Sequence, residues 1–301
     1  MKRMGHQLNR AWRVLATAYC FVFFGVAAVA VSATWFPLLR VTSRNAEQGR
    51  ERIQRAMSRI FLFFVGMMRA VGVLSYEFHG LEKLAKSSHS GGQSTGGRLI
   101  IANHPTLIDV VFLVGLIPSV DCIVKDGLWR NPFLRWPVLW AGYIPNSTAE
   151  QLVDTCAQTL RAGRSLLVFP EGTRTVPGQP FSMRRGAAQI ALASRADILP
   201  ITISCEPVVL AKTQAWHEAP LGKGRFIISV GDPIPATEYL ADGLPQSLAA
   251  RALTRRFEAY FTSSLAALRR APQVRMSPDL QTATPSPISF HASDIDSHAN
   301  S

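Results

Sequence analysis

Acidic side chains, cysteines and recognisable nucleotide or nucleophile loops are what this sequence has little of. Its 301 residues carry 20 Asp and Glu against 32 Lys and Arg, a net charge of +12. That imbalance favours anionic partners: nucleic acid, acidic lipid headgroups or phosphorylated substrates. The four cysteines, Cys20, Cys122, Cys156 and Cys205, lie far apart, with no C-x-x-C and no histidine at ligand spacing. Such a distribution argues against a disulfide framework and a zinc site, and the expectation is four inert thiols in a reducing compartment. No G-x-G-x-x-G, P-loop or G-x-S-x-G occurs, and no internal repeat. The usual sequence signals for dinucleotides, nucleoside triphosphates and a serine nucleophile are therefore missing.

Charge is absent altogether from residues 14–39, whose core reads VLATAYCFVFFGVAAVAVSA. At about 1.5 Å per helical residue this stretch exceeds the roughly 30 Å of a bilayer's hydrocarbon core. It is also longer than the apolar part of a secretory signal, so a membrane helix is the expectation, although Lys2, Arg3, Arg10 and Arg13 precede it as they would a signal. Arg40, Arg44, Arg50, Arg52, Arg55 and Arg59 crowd its far side. With both flanks basic, the positive-inside rule assigns no orientation. A second apolar segment, residues 60–74, follows the arginine-rich residues 51–59. Two apolar segments joined by a basic connection predict a hairpin in one leaflet, its arginines facing an anionic surface at about 1 kcal/mol each. The alternatives are one spanning helix followed by an interfacial one, or a core helix over 60–74, which is short for a span.

With 48% hydrophobic residues, the remainder has ample material for a core. A Gly/Ser-rich connection over 86–98 precedes a rhythm of short β-type runs at 98–102, 121–124, 165–169, 198–204 and 225–230. Helix-like stretches at 107–116, 149–162, 186–195 and 246–270 interleave with them. Alternation of this kind predicts an α/β fold with a mostly parallel central sheet flanked by helices, its ligands at the carboxyl ends of strands. Residues 271–301, rich in Pro, Ser and Asp, read as a disordered tail. The expected organisation is membrane-associated helices over 1–75, an α/β domain over 76–270 and that tail.

Two stretches carry chemistry. In IANHPTLID, residues 101–109, a strand ends before Asn103 and His104, and Pro105 can open a helix. His104 then stands at a strand's carboxyl edge, and an imidazole suits general base catalysis on an alcohol near neutral pH. Asp109, on the following helix, is placed to reach the other ring nitrogen and fix the tautomer. An acid in a helix's first turn also complements the dipole without any catalysis. In LVFPEGTRT, residues 167–175, another strand ends and Gly172 suits a tight turn with positive φ. Arg174 offers a fork for phosphate or carboxylate, with Glu171 as the group expected to hold it.

The order N-H-P-T-L-I-D, F-P-E-G-T-R and I-L-P-I-T-I (198–203) resembles the phospholipid/glycerol acyltransferases, lysophosphatidate acyltransferase-like, over about residues 73–235. The resemblance implies a glycerol-phosphate acyltransferase-like α/β fold. It implies His104 as general base, Asp109 as its partner, and Glu171, Gly172, Thr173 and Arg174 in acceptor binding. Lys125 resembles a lysine common in the family, and a solvated turn lysine explains it equally well. Arg184 and Arg185 stand where the family has basic residues; a phosphate contact and a solvated helix start are both open. Asn146 occupies a position where the family has an arginine, and it hydrogen-bonds without neutralising charge.

The expected reaction is transfer of an acyl group from acyl-CoA or acyl carrier protein to a lysophospholipid hydroxyl, without cofactor, metal or covalent acyl-enzyme. Lysophosphatidate is the first acceptor; a lyso-aminolipid or a specialised polyene lipid is the alternative that Asn146 keeps open. Anionic membrane lipids are expected partners, the catalytic domain facing the cytoplasm from the inner membrane. Nucleic acid is not expected, because the basic residues gather around the apolar helices instead of interleaving with aromatics. A basic membrane- or nucleic-acid-binding protein with vestigial motifs is the reading of a different class.

Overall fold

The computed structural model describes residues 2–85, 97–131, 134–146, 148–176, 178–212, 214, 222–240 and 245–270. Three helices lead: α1 (Lys2–Ala33), α2 (Trp35–Val41) and α3 (Ala46–Ala70). Then come β1 (Leu74–His79), α4 (Glu82–Ala85), β2 (Leu99–Ala102), α5 (Asp109–Leu116) and β3 (Val120–Val124). Two short helices, α6 (Asp126–Arg130) and α7 (Arg135–Trp140), precede β4 (Ile144–Pro145), α8 (Ala149–Arg161) and β5 (Ser165–Val168). The described chain closes with α9 (Gly186–Ser194), β6 (Ile198–Glu206), β7 (Gly224–Val230), a 3-10 turn (Ala236–Tyr239) and α10 (Gln246–Arg270). The predicted tail over 271–301 and most of the Gly/Ser-rich connection lie outside the described residues.

The strands form one sheet in the order β1-β7-β6-β2-β5-β3-β4. Every neighbouring pair is parallel except β6 and β7, which run antiparallel. The expected mostly parallel α/β sheet is what forms. Central β2 (LIIA) is buried at all four positions, as a strand covered on both faces must be. Its side chains alternate, Ile100 and Ala102 toward one core and Leu99 and Ile101 toward the other. The first core joins the sheet to α3 and α5 through Phe64, Met68, Phe112 and Leu113. The second joins it to α8, α9 and α10 through Cys156, Ile190, Leu253 and Phe257. Each such side chain contributes roughly 1.5–3 kcal/mol when fully buried.

Among the described residues one helical stretch, Asn9–Val41, is long and apolar enough to cross a membrane, and little of it is buried in the protein. The second apolar segment is different from the expectation. It forms the carboxyl half of α3 and ends where β1 begins, so the hairpin of two membrane helices reduces to one candidate span. The physical reason is that α3 finds protein partners on α1 and α5, with Phe63 left exposed at the surface. Phe64 meets Phe24 of α1 with ring centroids 4.4 Å apart, while Ser58 Oγ donates to Gly115 O of α5 at 2.6 Å. Gly115 permits that approach, since a Cβ there would stand 3.2 Å from Leu62.

Two arginines of the basic connection, Arg50 and Arg52, turn to protein partners, while Arg44, Arg55 and Arg59 stay exposed. Arg50 donates to the Asp121 carboxylate at 2.5 Å and to Gly142 O at 2.8 Å. Arg164 holds the other carboxylate oxygen, and Gln54 donates to Asp121 Oδ1 and Ala141 O, both at 2.8 Å. This buried cluster ties α3 to β3 and α7. Arg52 reaches back to Thr42 O and Ser43 Oγ.

Candidate active site

Helix α5 starts at Asp109, four residues later than Pro105, and residues 105–108 form the bend between β2 and the helix. That delay is what aims the motif. Asn103 is buried and replaces one rung of the β2–β6 ladder: its Nδ2 donates to Ile203 O at 2.8 Å and its Oδ1 accepts from Ile203 N at 2.7 Å. Both hydrogen-bonding sides of the amide are satisfied, so the turn after β2 is pinned before His104 leaves it.

His104 Nδ1 lies 2.8 Å from Asp109 Oδ2. The Asp109 carboxylate is fully buried, and it also accepts from Thr106 N at 2.7 Å and Thr106 Oγ1 at 2.5 Å. Burial pushes this carboxyl up, and the imidazole and the Thr106 donors pull it back. Three fixed donors leave the carboxylate one orientation. With Nδ1 on Asp109, the ring's other nitrogen, Nε2, is the one left to meet a ligand. Phe169, the residue after β5, stacks on the imidazole at 4.3 Å between centroids, limiting its rotation.

The second motif is stitched to the first by Glu171. Its Oε1 accepts from His104 N at 3.0 Å and from Thr175 Oγ1 at 2.7 Å, while Thr175 N donates to His104 O at 2.7 Å. Burial pushes the Glu171 carboxyl up; the Thr175 hydroxyl and the His104 amide act against that. The sequence expectation that Glu171 holds Arg174 is therefore corrected, because its carboxylate is turned inward onto the His104 backbone. Arg174 instead donates through Nη1 to Leu210 O and Ala211 O, each at 3.1 Å. Its Nε and Nη2 have no hydrogen bond among the described residues. Leu107 N also donates to Leu210 O, at 3.1 Å. The segment after β6 thus bridges both motifs, and His104 and Arg174 stand at one edge of the sheet.

Gly172 has φ +66 and donates to Phe169 O at 2.9 Å, as the expected turn requires. A Cβ there would stand 2.8 Å from Arg184 Nε. Gly172→Ala is accordingly expected to cost about 1–2 kcal/mol from the left-handed backbone alone, read as a lowered thermal midpoint. Thr173 is exposed beside it. Lys125 is exposed at the end of β3, two strands from β2 and so about 10 Å to the side. Asn146, exposed at the end of β4, lies one strand further and donates its backbone N–H to Val124 O at 3.0 Å. Arg185 is exposed at the start of α9. His104, Asp109 and Glu171 thus form one hydrogen-bonded group, Arg174 meets the Leu210 carbonyl that Leu107 N also reaches, Gly172 sits in the adjoining turn, and Lys125, Asn146 and Arg185 stand apart. Asn103, Thr106, Thr175 and Phe169 were missed by sequence reasoning. Their signal was adjacency: Thr106 is three residues before the acid, and Thr175 follows the E-G-T-R block.

Among the described residues no three His, Cys, Asp or Glu side chains gather as a metal-binding group. A separate concavity lined by Arg50, Gly142, Thr155 and Arg164 contains none of the residues of the hydrogen-bonded group. Its two arginines are committed to Asp121.

An acyltransferase family model matches residues 75–204. A chloroplastic 1-acyl-sn-glycerol-3-phosphate acyltransferase of Arabidopsis thaliana is 28% identical over 129 residues, 41% of this chain and 34% of that protein. The 1-acyl-sn-glycerol-3-phosphate acyltransferase of Pseudomonas aeruginosa is 26% identical over 212 residues, covering 68% of this chain and 74% of its own length. That of Helicobacter pylori is 32% identical over 120 residues, 38% of this chain and 51% of the relative. The matches thus span a third to a half of two of these curated relatives and about three quarters of the third. In structure, the chain is similar to the 1-acyl-sn-glycerophosphate (LPA) acyltransferase of Thermotoga maritima, with a TM-score of 0.57 and 18% identity over 86% of this chain and 98% of that one. This likeness is one of fold. Both motif blocks lie within residues 75–204, the stretch of the chain that is similar to the acyltransferase family, and Glu171 joins them at one edge of the sheet.

Proposed function

We propose that the protein is a membrane-bound O-acyltransferase that moves a fatty acyl group from acyl-CoA or acyl carrier protein to the free hydroxyl of a lysophospholipid, with 1-acyl-glycerol-3-phosphate as the first acceptor and phosphatidate as product. The observation that carries this reading is the His104–Asp109 pair, whose buried and triply bonded carboxylate leaves the imidazole Nε2 for a hydroxyl. Nε2 takes the acceptor's proton as its oxygen attacks the thioester carbonyl, the C–O bond forms, the C–S bond breaks, and the imidazolium returns the proton to the departing sulfur. Asp109 keeps the ring in the required tautomer and steadies the imidazolium. The developing oxyanion is met by backbone amides or by Lys125. Arg174 binds the acceptor phosphate through its remaining guanidinium donors, with Thr173, Asn146 and Arg185 further out on the acceptor's path. Glu171 and Gly172 shape the turn that presents Arg174.

On this reading residues 1–75 associate with the membrane, 76–270 form the catalytic domain and 271–301 a tail. The catalytic edge faces the cytoplasm at the inner membrane.

A second acceptor class is favoured by one observation: Asn146 brings no charge to the carboxyl edge, and Arg174 already spends Nη1 on two carbonyls. Membranes with and without the protein, given labelled acyl-CoA or acyl carrier protein and a panel of lysolipids, separate the readings. Phosphatidate formed only with the protein supports lysophosphatidate. Equal rates after removal of the acceptor phosphate point to a lyso-aminolipid or polyene acceptor, and no acylated product from any pair overturns the transferase reading.

A further inference from the structure

Helix α7 is apolar on two sides. Pro137 and Val138 face inward, and Val138 packs in the same core as α3 and the first part of the sheet. On the outer side Trp136 and Leu139 are 48% and 45% exposed, joined by Leu128 of α6 at 36%. Trp136 and Leu139, three residues apart, share one face of the helix. A short helix that leaves tryptophan and leucine uncovered while polar residues are at hand does not meet bulk water by default.

The rim of this patch is basic. Lys125, Arg130 and Arg135 are all exposed around it. The Arg135 guanidinium lies over the Trp136 ring at 5.6 Å, and Trp136 packs on Trp140 at 5.6 Å. Tryptophan with leucine inside and lysine or arginine around is the arrangement of elements that lie in a lipid headgroup layer, where an indole ring sits at the boundary and long basic chains reach the phosphates. The patch lies on a helix joined through α3 to the candidate membrane helix. α7 packs on α3, and α3 packs on α1, whose Leu15, Val22 and Val26 are 65–67% exposed. α6 also begins directly after Lys125, at the carboxyl edge of the sheet that carries His104.

We propose that α6 and α7 form a second membrane contact, with Leu128, Trp136 and Leu139 entering an anionic lipid surface and Lys125, Arg130 and Arg135 meeting its phosphates. The contact draws the carboxyl edge of the sheet down to the bilayer, where a lysolipid hydroxyl is presented. That consequence rests on the acyltransferase reading above; the contact itself does not.

The test uses the full chain. Its four native cysteines are buried, so a cysteine at Leu139→Cys takes an environment-sensitive fluorophore selectively, and Ala252→Cys on the far-side α10 serves as control. Both proteins are reconstituted in phosphatidylcholine vesicles containing about a third phosphatidylglycerol, with and without lipids carrying a shallow nitroxide. Unchanged thermal midpoints show that the labelled chains fold. The expected result is quenching of the probe at 139 by about half, as for a group at the headgroup and acyl boundary, with little at 252. The same probe in Arg130→Gln/Arg135→Gln protein is expected to quench less. A water-like emission at 139 equal to that at 252 overturns the proposal. So does a shielded emission that the nitroxide leaves untouched, which assigns the face to another protein or a second copy. The readout needs no turnover, so a quenched probe in a protein without transferase activity overturns the reaction and leaves the contact standing.

Discussion

His104→Ala is expected to lower the rate of the proposed acyl transfer about 10²–10⁴-fold, the contribution of a positioned general base. The variant isolates chemistry from folding because of how the motif is held. What ties residue 104 to the second motif is its backbone: the amide donates to Glu171 at 3.0 Å and the carbonyl accepts from Thr175 at 2.7 Å. Alanine keeps both. The side chain makes one hydrogen bond, to Asp109, and that carboxylate retains its two Thr106 donors when the ring is gone. Thermal midpoints of the two proteins should therefore lie close together while product formation from labelled acyl donor and lysolipid collapses. Asp109→Asn should fall between them, since the amide still packs but no longer holds the imidazolium. A His104→Ala protein with a rate within about twofold of the parent, against the roughly 10² minimum expected of a base, removes the imidazole from the mechanism. A binding protein, the reading of a different class, loses nothing in this variant.

Asp121→Ala should reduce the free energy of unfolding by about 3–5 kcal/mol, the cost of removing one partner of a buried ionic cluster. The carboxylate is 3% exposed and the two guanidiniums 17% and 26%. Without it Arg50 and Arg164 stand close together with no counter-charge of equal burial, and Gln54 loses an acceptor. Burial pushes the Asp121 carboxyl up to about 6 against the pull of Arg50, so the comparison belongs at pH 8, where the group is ionised. Urea midpoints of the full chain in detergent give the difference. The contrast is Glu51→Ala, which removes an exposed partner of Arg55. Such a pair contributes about 0.3–0.5 kcal/mol, so that midpoint should barely move. If Asp121→Ala shifts no further than Glu51→Ala, the cluster is not what fastens α3 to the sheet.

The two clusters show what was legible from the chain alone. His104 and Asp109 are five residues apart, and a strand followed by a turn and a helix restricts their relation enough to expect a contact. Glu171, 67 residues from His104, is not in that position. A carboxylate three residues before an arginine suggests a local pair, and the sheet order β2 beside β5 supplied a nearer donor, the His104 amide. Arg50 was misjudged for the same reason. A basic run beside apolar segments reads as one face toward anionic lipid, whereas Arg50 finds Asp121, 71 residues away, only once α3 lies across β3. The apolar half of α3 has the composition of a membrane segment, and its partners on α1 and α5 make it part of the protein core instead.

By itself the sequence determined the alternation of strands and helices, the mostly parallel sheet, the single long uncharged run and the two motif blocks at strand ends, because each is a matter of local periodicity and turn chemistry. Tertiary structure alone decided that Glu171 receives the His104 amide and Asp121 the Arg50 and Arg164 guanidiniums, which side of α3 meets protein, and that α6 and α7 leave tryptophan and leucine outside a basic rim. Those outcomes depend on strand order and helix packing between residues distant in the chain, where desolvation obliges buried charges to take whichever partner the fold brings within reach.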